Sequence, residues 1–214
     1  MTSILLAALI ASTGVSRAAD RQAREAAAAA ADAPGQPAAD LSEQELRREI
    51  NGYLGSIDTP IPAAHWKALG PRAAPILAAL IADAEQFPTR RAKAVDGLAA
   101  VGGAEAPALF SKVARSEDEP LVLRLAALRG LGVVTPARHL AAALRPVLEG
   151  AKEPAVRAGA AEVLVARAGS CAAVHAQLAR ESDDVRGMYH RSVAGCAERA
   201  ERAKAAKAAK ANQR

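Results

Sequence analysis

The residues of this 214-residue chain with the most chemical potential are two cysteines, four histidines, a few acidic clusters and a set of evenly spaced arginines. Arg91, Arg124 and Arg157 stand 33 residues apart, and Arg186 follows 29 residues later. Aligned and exposed, four guanidinium groups would make an anion-binding row. Turned inward, they would bond the carbonyls or carboxylates of neighbouring turns. The histidines (His65, His139, His175, His190) fall in four different segments, and none has the close His or Cys neighbour that a zinc site needs. There is no Gly-rich phosphate loop, nucleophile elbow or paired inward carboxylate. Glu117-Asp118-Glu119 and Asp183-Asp184 sit where turns are expected, so helix capping is the expected role of these acids. No catalytic, cofactor-binding or metal-ligating residue is assigned.

The cysteines carry a sharper expectation. Cys171 lies 12 residues before Asp183 and Cys196 lies 13 after it. If Asp183 marks the turn between two antiparallel helices, both cysteines stand roughly 18–20 Å from that turn at 1.5 Å per residue. Cys171 shares a helical face with Val174 and Leu178, and Cys196 shares one with Val193 and Tyr189. A Cys171–Cys196 disulfide is favoured, and it would contribute roughly 3 kcal/mol by closing that loop. The alternative is a pair of buried thiols behaving as small hydrophobes.

The elements that position these residues follow from a period in the low thirties. Arg91, Ala94, Leu98 recurs as Arg124, Ala127, Leu131 and Arg157, Ala160, Leu164, with Arg186, Tyr189, Val193 as a weaker fourth copy. Helix-spaced apolar positions inside such a unit predict stacked helical hairpins. A second register repeats 32 residues apart: Gly70, Ala74, Pro75, Leu77, then Gly102, Ala106, Pro107, Leu109. Glycine ends a helix in the left-handed conformation, and proline is tolerated in the first turn of the next. Leu77 and Leu80, like Leu109 and Val113, are expected to face inward.

Before the repeats, Ser42 and Glu45 form a capping box ahead of the stripe Leu46, Ile50, Tyr53 and Leu54. A short helix from Ala63 to Leu69 buries Trp66. The predicted hairpins pair Arg72–Ala84 with Thr89–Val101, Ala106–Arg115 with Pro120–Leu131, Pro136–Leu148 with Pro154–Arg167, and Cys171–Arg180 with Asp184–Ala197.

These units resemble HEAT and HEAT-like repeats of the phycobilisome-lyase type, over about Tyr53 to Ala197. The likeness rests on Ala68-Leu69-Gly70 leading into Ala74-Pro75-Ile76-Leu77, and on Ala100-Val101-Gly102 leading into Ala106-Pro107-Ala108-Leu109. The third unit departs from it, with Thr135-Pro136 in place of glycine. The resemblance implies an all-α superhelical solenoid of about four to five hairpins. It also implies a structural role for Arg91, Arg124, Arg157 and Arg186, since such repeats carry a basic residue early in their second helix.

The net charge of +5 does not make the chain a nucleic-acid binder by itself. Arg17 lies in an apolar leader, and residues 198–214 carry six basic side chains against Glu198 and Glu201, so the body from Ala19 to Ala197 balances to zero. Ile4 to Ala11 is uncharged and apolar, and Ser16-Arg17-Ala18 offers a signal-peptidase site, so residues 1–18 read as a signal peptide. Residues 19–40 read as an Ala/Pro-rich tether, 41–197 as the HEAT-like domain, and 198–214 as a basic tail with Lys204, Lys207 and Lys210.

The expectation is a non-enzymatic, periplasmic or secreted scaffold, cytoplasmic only if the leader stays on. It docks one or more protein partners, with no cofactor and no small-molecule substrate. Two alternatives are weighed. One is a nucleic-acid-binding HEAT-fold protein or enzyme, architecturally like the helical-repeat DNA glycosylases; the neutral body disfavours it. The other is an anion-binding module that meets an anionic surface through the tail.

Overall fold

The computed structural model describes residues 41–56 and 59–212. The leader and the tether predicted from the sequence lie outside them. The described residues are all-helical, with no strand. Helix α1 (Glu43–Gly55) opens on the capping box: the Ser42 hydroxyl accepts from the Glu45 N–H, and the Glu45 carboxylate accepts from the Ser42 N–H at 2.9 Å. Its buried stripe is Leu46, Ile50 and Leu54, while Tyr53 meets the Trp66 ring edge-on at 5.1 Å. Then follow α2 (Ala63–Ala68), α3 (Ala73–Ala82), α4 (Pro88–Val101), α5 (Ala106–Arg115), α6 (Leu121–Val134), α7 (Ala137–Gly150) and α8 (Pro154–Val163), which continues as a π-turn over Leu164–Ala168. Helix α9 (Cys171–Leu178) is followed by the short α10 (Asp183–Arg186), a 3₁₀ turn at Gly187–Tyr189, and α11 (His190–Asn212).

Every substantial helix contact lies within one pair or between pairs adjacent in the chain. The second helices (α2, α4, α6, α8, α11) pack on one another in an unbroken row. The first helices meet less evenly. Between α3 and α5 lies an apolar groove of about 380 Å³, floored by Ala74, Ala78, Leu98 and Leu109.

Small residues explain the tighter second row. Ala94, Ala127 and Ala160 are each fully buried at equivalent repeat positions, with Leu98, Leu131 and Leu164 one turn on. Glycine does the same at the crossings. A Cβ on Gly130 would lie 2.8 Å from the Phe110 ring and 3.0 Å from Val95 Cγ1, and both neighbours are fully buried. Gly130→Ala is therefore expected to destabilise the fold, because overpacking costs about 1–3 kcal/mol while helix propensity returns at most about 1. Urea denaturation measures it, and a variant as stable as the parent would show that Phe110 can move.

Gly70 and Gly102 close α2 and α4 at φ 69° and 84°. After α6 the chain leaves through Thr135 in an extended conformation, φ −97°, so no glycine is needed there and Pro136 leads into α7. Gly169 (φ 64°) supplies the left-handed stop after the π-turn instead.

Three sequence expectations shift. Leu80 and Leu109 are only half-buried; Ile76, Leu77 and Ile81 fill the α3 stripe, and Phe110 and Val113 that of α5. In the last unit Val193 is 37% exposed, and Tyr189, Ser192 and Cys196 face inward. The 3₁₀ turn before α11 and the cross-link at Cys196 set the rotation of that helix. Lastly, α11 does not end at Ala197 but runs on through the basic tail, whose side chains from Glu198 to Lys210 are exposed.

Candidate docking face and its arginine supports

Arg91 begins the first turns of α4 and is 4% exposed. Its Nε donates to the Ile81 carbonyl at 2.8 Å, and its two terminal nitrogens donate to both oxygens of Glu119 at 2.8 Å. Glu119 belongs to the turn of the next hairpin, so this arginine links one pair to its successor. Arg124, 3% exposed, repeats the motif with Ala114 O at 3.3 Å and a fork onto Glu117 at 3.1 and 3.0 Å. Glu117 also accepts the Lys152 N–H from the following turn, at 3.2 Å. These bonds hold the Glu117 carboxyl below its ordinary range, with the Arg124 hydrogen bonds as the largest cause. Arg157 donates to the Ala151 and Lys152 carbonyls and forks onto Glu181 at 2.6 and 2.5 Å.

Glu181, 6% exposed, accepts from three side chains at once: Arg157, the Gln177 amide at 2.8 Å and the Tyr189 hydroxyl at 2.7 Å. The Arg157 hydrogen bonds, the largest cause, pull its pKa down to about 2. Sequence reasoning missed Glu181, because no short motif marks a carboxylate 24 residues after its arginine. Glu117 and Glu119, expected to cap helices, serve as arginine partners; the α6 N-cap position is Pro120, with no side-chain cap. Arg186 does not join the buried set. Its side chain is 49% exposed, pairs with Asp183 at 2.9 Å, and donates to the Glu181 carbonyl.

Cys171 and Cys196 are joined as a disulfide with Cα atoms 5.7 Å apart, tying the start of α9 to α11. The four histidines stand on α2, α7, α9 and α11. Among the described residues no group of three or more His, Cys, Asp or Glu side chains converges as a metal site. On the tail, Lys204 pairs with Glu201 at 2.8 Å and Arg202 with Glu198 at 3.4 Å; Lys207 and Lys210 continue the exposed face.

Five residues past each ladder arginine lies a second row that sequence reading overlooked. Asp96, Arg129 and Glu162 are spaced 33 apart, with Arg191 29 further on, so the sign alternates. Asp96 meets Arg129 at 3.7 Å and Glu162 meets Arg191 at 3.5 Å, all four side chains at least half exposed. The same 33-residue comparison, shifted by five positions, would have found it.

Below this row runs a groove. Between α6 and α8 it encloses about 390 Å³ over Leu125, Leu128, Val133 and Val163, with Gly132 and Gly159 leaving the floor low. It continues between the π-turn and α11 as about 440 Å³, the two parts sharing Glu162, Ala166 and Arg191. The π-turn shapes this junction: Arg199 donates to the Ala166 carbonyl at 2.9 Å, and Arg167 reaches across to the Gly132 carbonyl at 2.7 Å.

No family model, curated protein or solved structure matches the chain. What the geometry provides is a solvent-facing row of helices with an apolar floor and charged rims, supported from beneath by buried arginine–carboxylate forks. Among the described residues no helix is long and apolar enough to cross a membrane.

Proposed function

We propose that this chain is a non-enzymatic docking scaffold, a HEAT-like superhelix whose second helices form the concave, partner-facing row. The observation that carries the reading is the pattern of contacts: each helical pair leans only on its chain neighbours, which leaves one long row open to solvent. Closer packing in that row than in the first bends such a stack toward it. Buried forks at Arg91, Arg124 and Arg157 stiffen the turns, so the open row keeps its shape without a bound partner. The disulfide supports a periplasmic or secreted location, since such bridges persist in oxidising compartments.

A photo-crosslinking residue placed at Val133, which is 58% exposed on the second row, is expected to give discrete protein adducts in cells. The same residue at Glu149, on the first row, is expected to give none. Equal yields from both positions, or none from either, would overturn the reading. Fractionation with N-terminal sequencing is expected to recover the chain outside the cytoplasm, beginning at Ala19. A cytosolic protein that retains its first residues would remove export from the proposal.

A further inference from the structure

We infer that the groove between α6 and α11 takes an acidic peptide segment of its partner, one in which carboxylates alternate with apolar side chains. The inference rests on the docking reading above and names the chemistry of what docks.

The groove carries a local positive excess, to which the net-neutral body contributes Arg129, Arg167 and Arg191 and the start of the basic tail contributes Arg199 and Arg202. The two parts of the groove are lined by Arg129, Arg167, Arg191, Arg199 and Arg202 but only by Glu162 and Glu198, five positive groups against two negative. Asp96 beside Arg129 lowers the excess from three to two without removing it. The pairs that do form, at 3.4–3.7 Å between exposed side chains, are loose and screened, so a partner carboxylate competes for them at little cost. Arg167 and Arg199 each give one donor to a backbone carbonyl, and among the described residues neither has a carboxylate partner. A guanidinium retains further donors in its planar fork, suited to bidentate carboxylate binding.

The floor selects a peptide over a nucleic acid. It is aliphatic and glycine-rich, with no aromatic side chain on which a base would stack. Glu162 and Glu198 inside the lining repel a continuous chain of phosphates. They accept from the N–H groups of a peptide.

The test is fluorescence anisotropy on the full chain, with a short labelled peptide of alternating glutamate and leucine. Saturable binding that weakens as salt rises is expected, as is a loss of about tenfold in affinity for the Arg129→Gln/Arg191→Gln double variant. Both side chains are more than half exposed, so the variant should fold, and circular dichroism checks it. Unchanged affinity in the Lys204→Gln/Lys207→Gln/Lys210→Gln variant supports the groove; loss there would transfer the site to the tail and overturn the inference. Binding of an equally charged single-stranded oligonucleotide in competition with the peptide would also overturn it. If a serine-for-glutamate peptide binds as well, with hydrogen-exchange protection on α6 and α8, the acidic chemistry fails and the docking face stands. If no peptide of any charge protects those helices, both fail.

Discussion

Replacing Glu181 with alanine is expected to cost about 3–5 kcal/mol of folding stability, the range for removing one partner of a buried ion pair. The carboxylate satisfies three side chains at once. Without it the fully buried Tyr189 hydroxyl loses its acceptor, and the Arg157 guanidinium, 15% exposed, loses its counter-charge and keeps only the Ala151 and Lys152 carbonyls. Against a typical domain stability of about 5–15 kcal/mol, that loss should be plain in urea denaturation.

The pH dependence has a definite sign. The folded-state pKa of Glu181 is depressed from 4.5 to about 2, so its contribution is complete above the unfolded value. It falls away as pH drops from about 4.5 toward 2. Other carboxyls, including Glu117, are also held low, so the parent will lose stability in acid for several reasons. The difference between the parent and Glu181→Gln isolates this one: the gap should narrow steadily below pH 4.5. A gap that stays constant across that range would show that the carboxylate's charge is not what holds the cluster together.

Breaking the disulfide by Cys171→Ser/Cys196→Ser is expected to cost about 3 kcal/mol, the loop-closure contribution for a separation of 25 residues. The damage should be local. Because the substantial contacts of α9 and α11 are with each other, the 3₁₀ turn, α8 and its π-turn, hydrogen exchange is expected to rise in those two helices while α3 to α6 keep their protection. Reductant added to the parent should reproduce the pattern. Uniform loss of protection along the chain would mean that the helical pairs do not behave as a nearest-neighbour stack.

The repeating helices were legible in the sequence because their cause is local. Apolar residues at helical spacing, Gly70 and Gly102 as stops, and prolines in first turns act within a few residues of one another. The weak places were those where two distant causes compete. Val193 sits at a position the pattern marks as inward, yet the 3₁₀ turn and the bond to Cys171 rotate α11 so that Ser192 and Cys196 go in instead. Leu80 and Leu109 lie at the edge of their stripes and are only half-buried; for Leu109 the groove between α3 and α5 leaves the side chain partly open.

The ladder arginines show the same division. Their period was visible; their partners were not, since Glu119, Glu117 and Glu181 stand at three different offsets from Arg91, Arg124 and Arg157.

What this sequence determined alone was a chain of helices, their approximate lengths, and two cysteines at matching heights on either side of a turn. Those follow from backbone geometry and from the residues that start and stop a helix. Only the tertiary structure decided which carboxylate each arginine holds, that Glu181 lies buried among three donors, and that three arginines of the net-neutral body and two from the start of the tail gather on one groove. Such facts depend on the rotation and spacing of helices brought together from distant parts of the chain, and residue order along a single helix does not encode them.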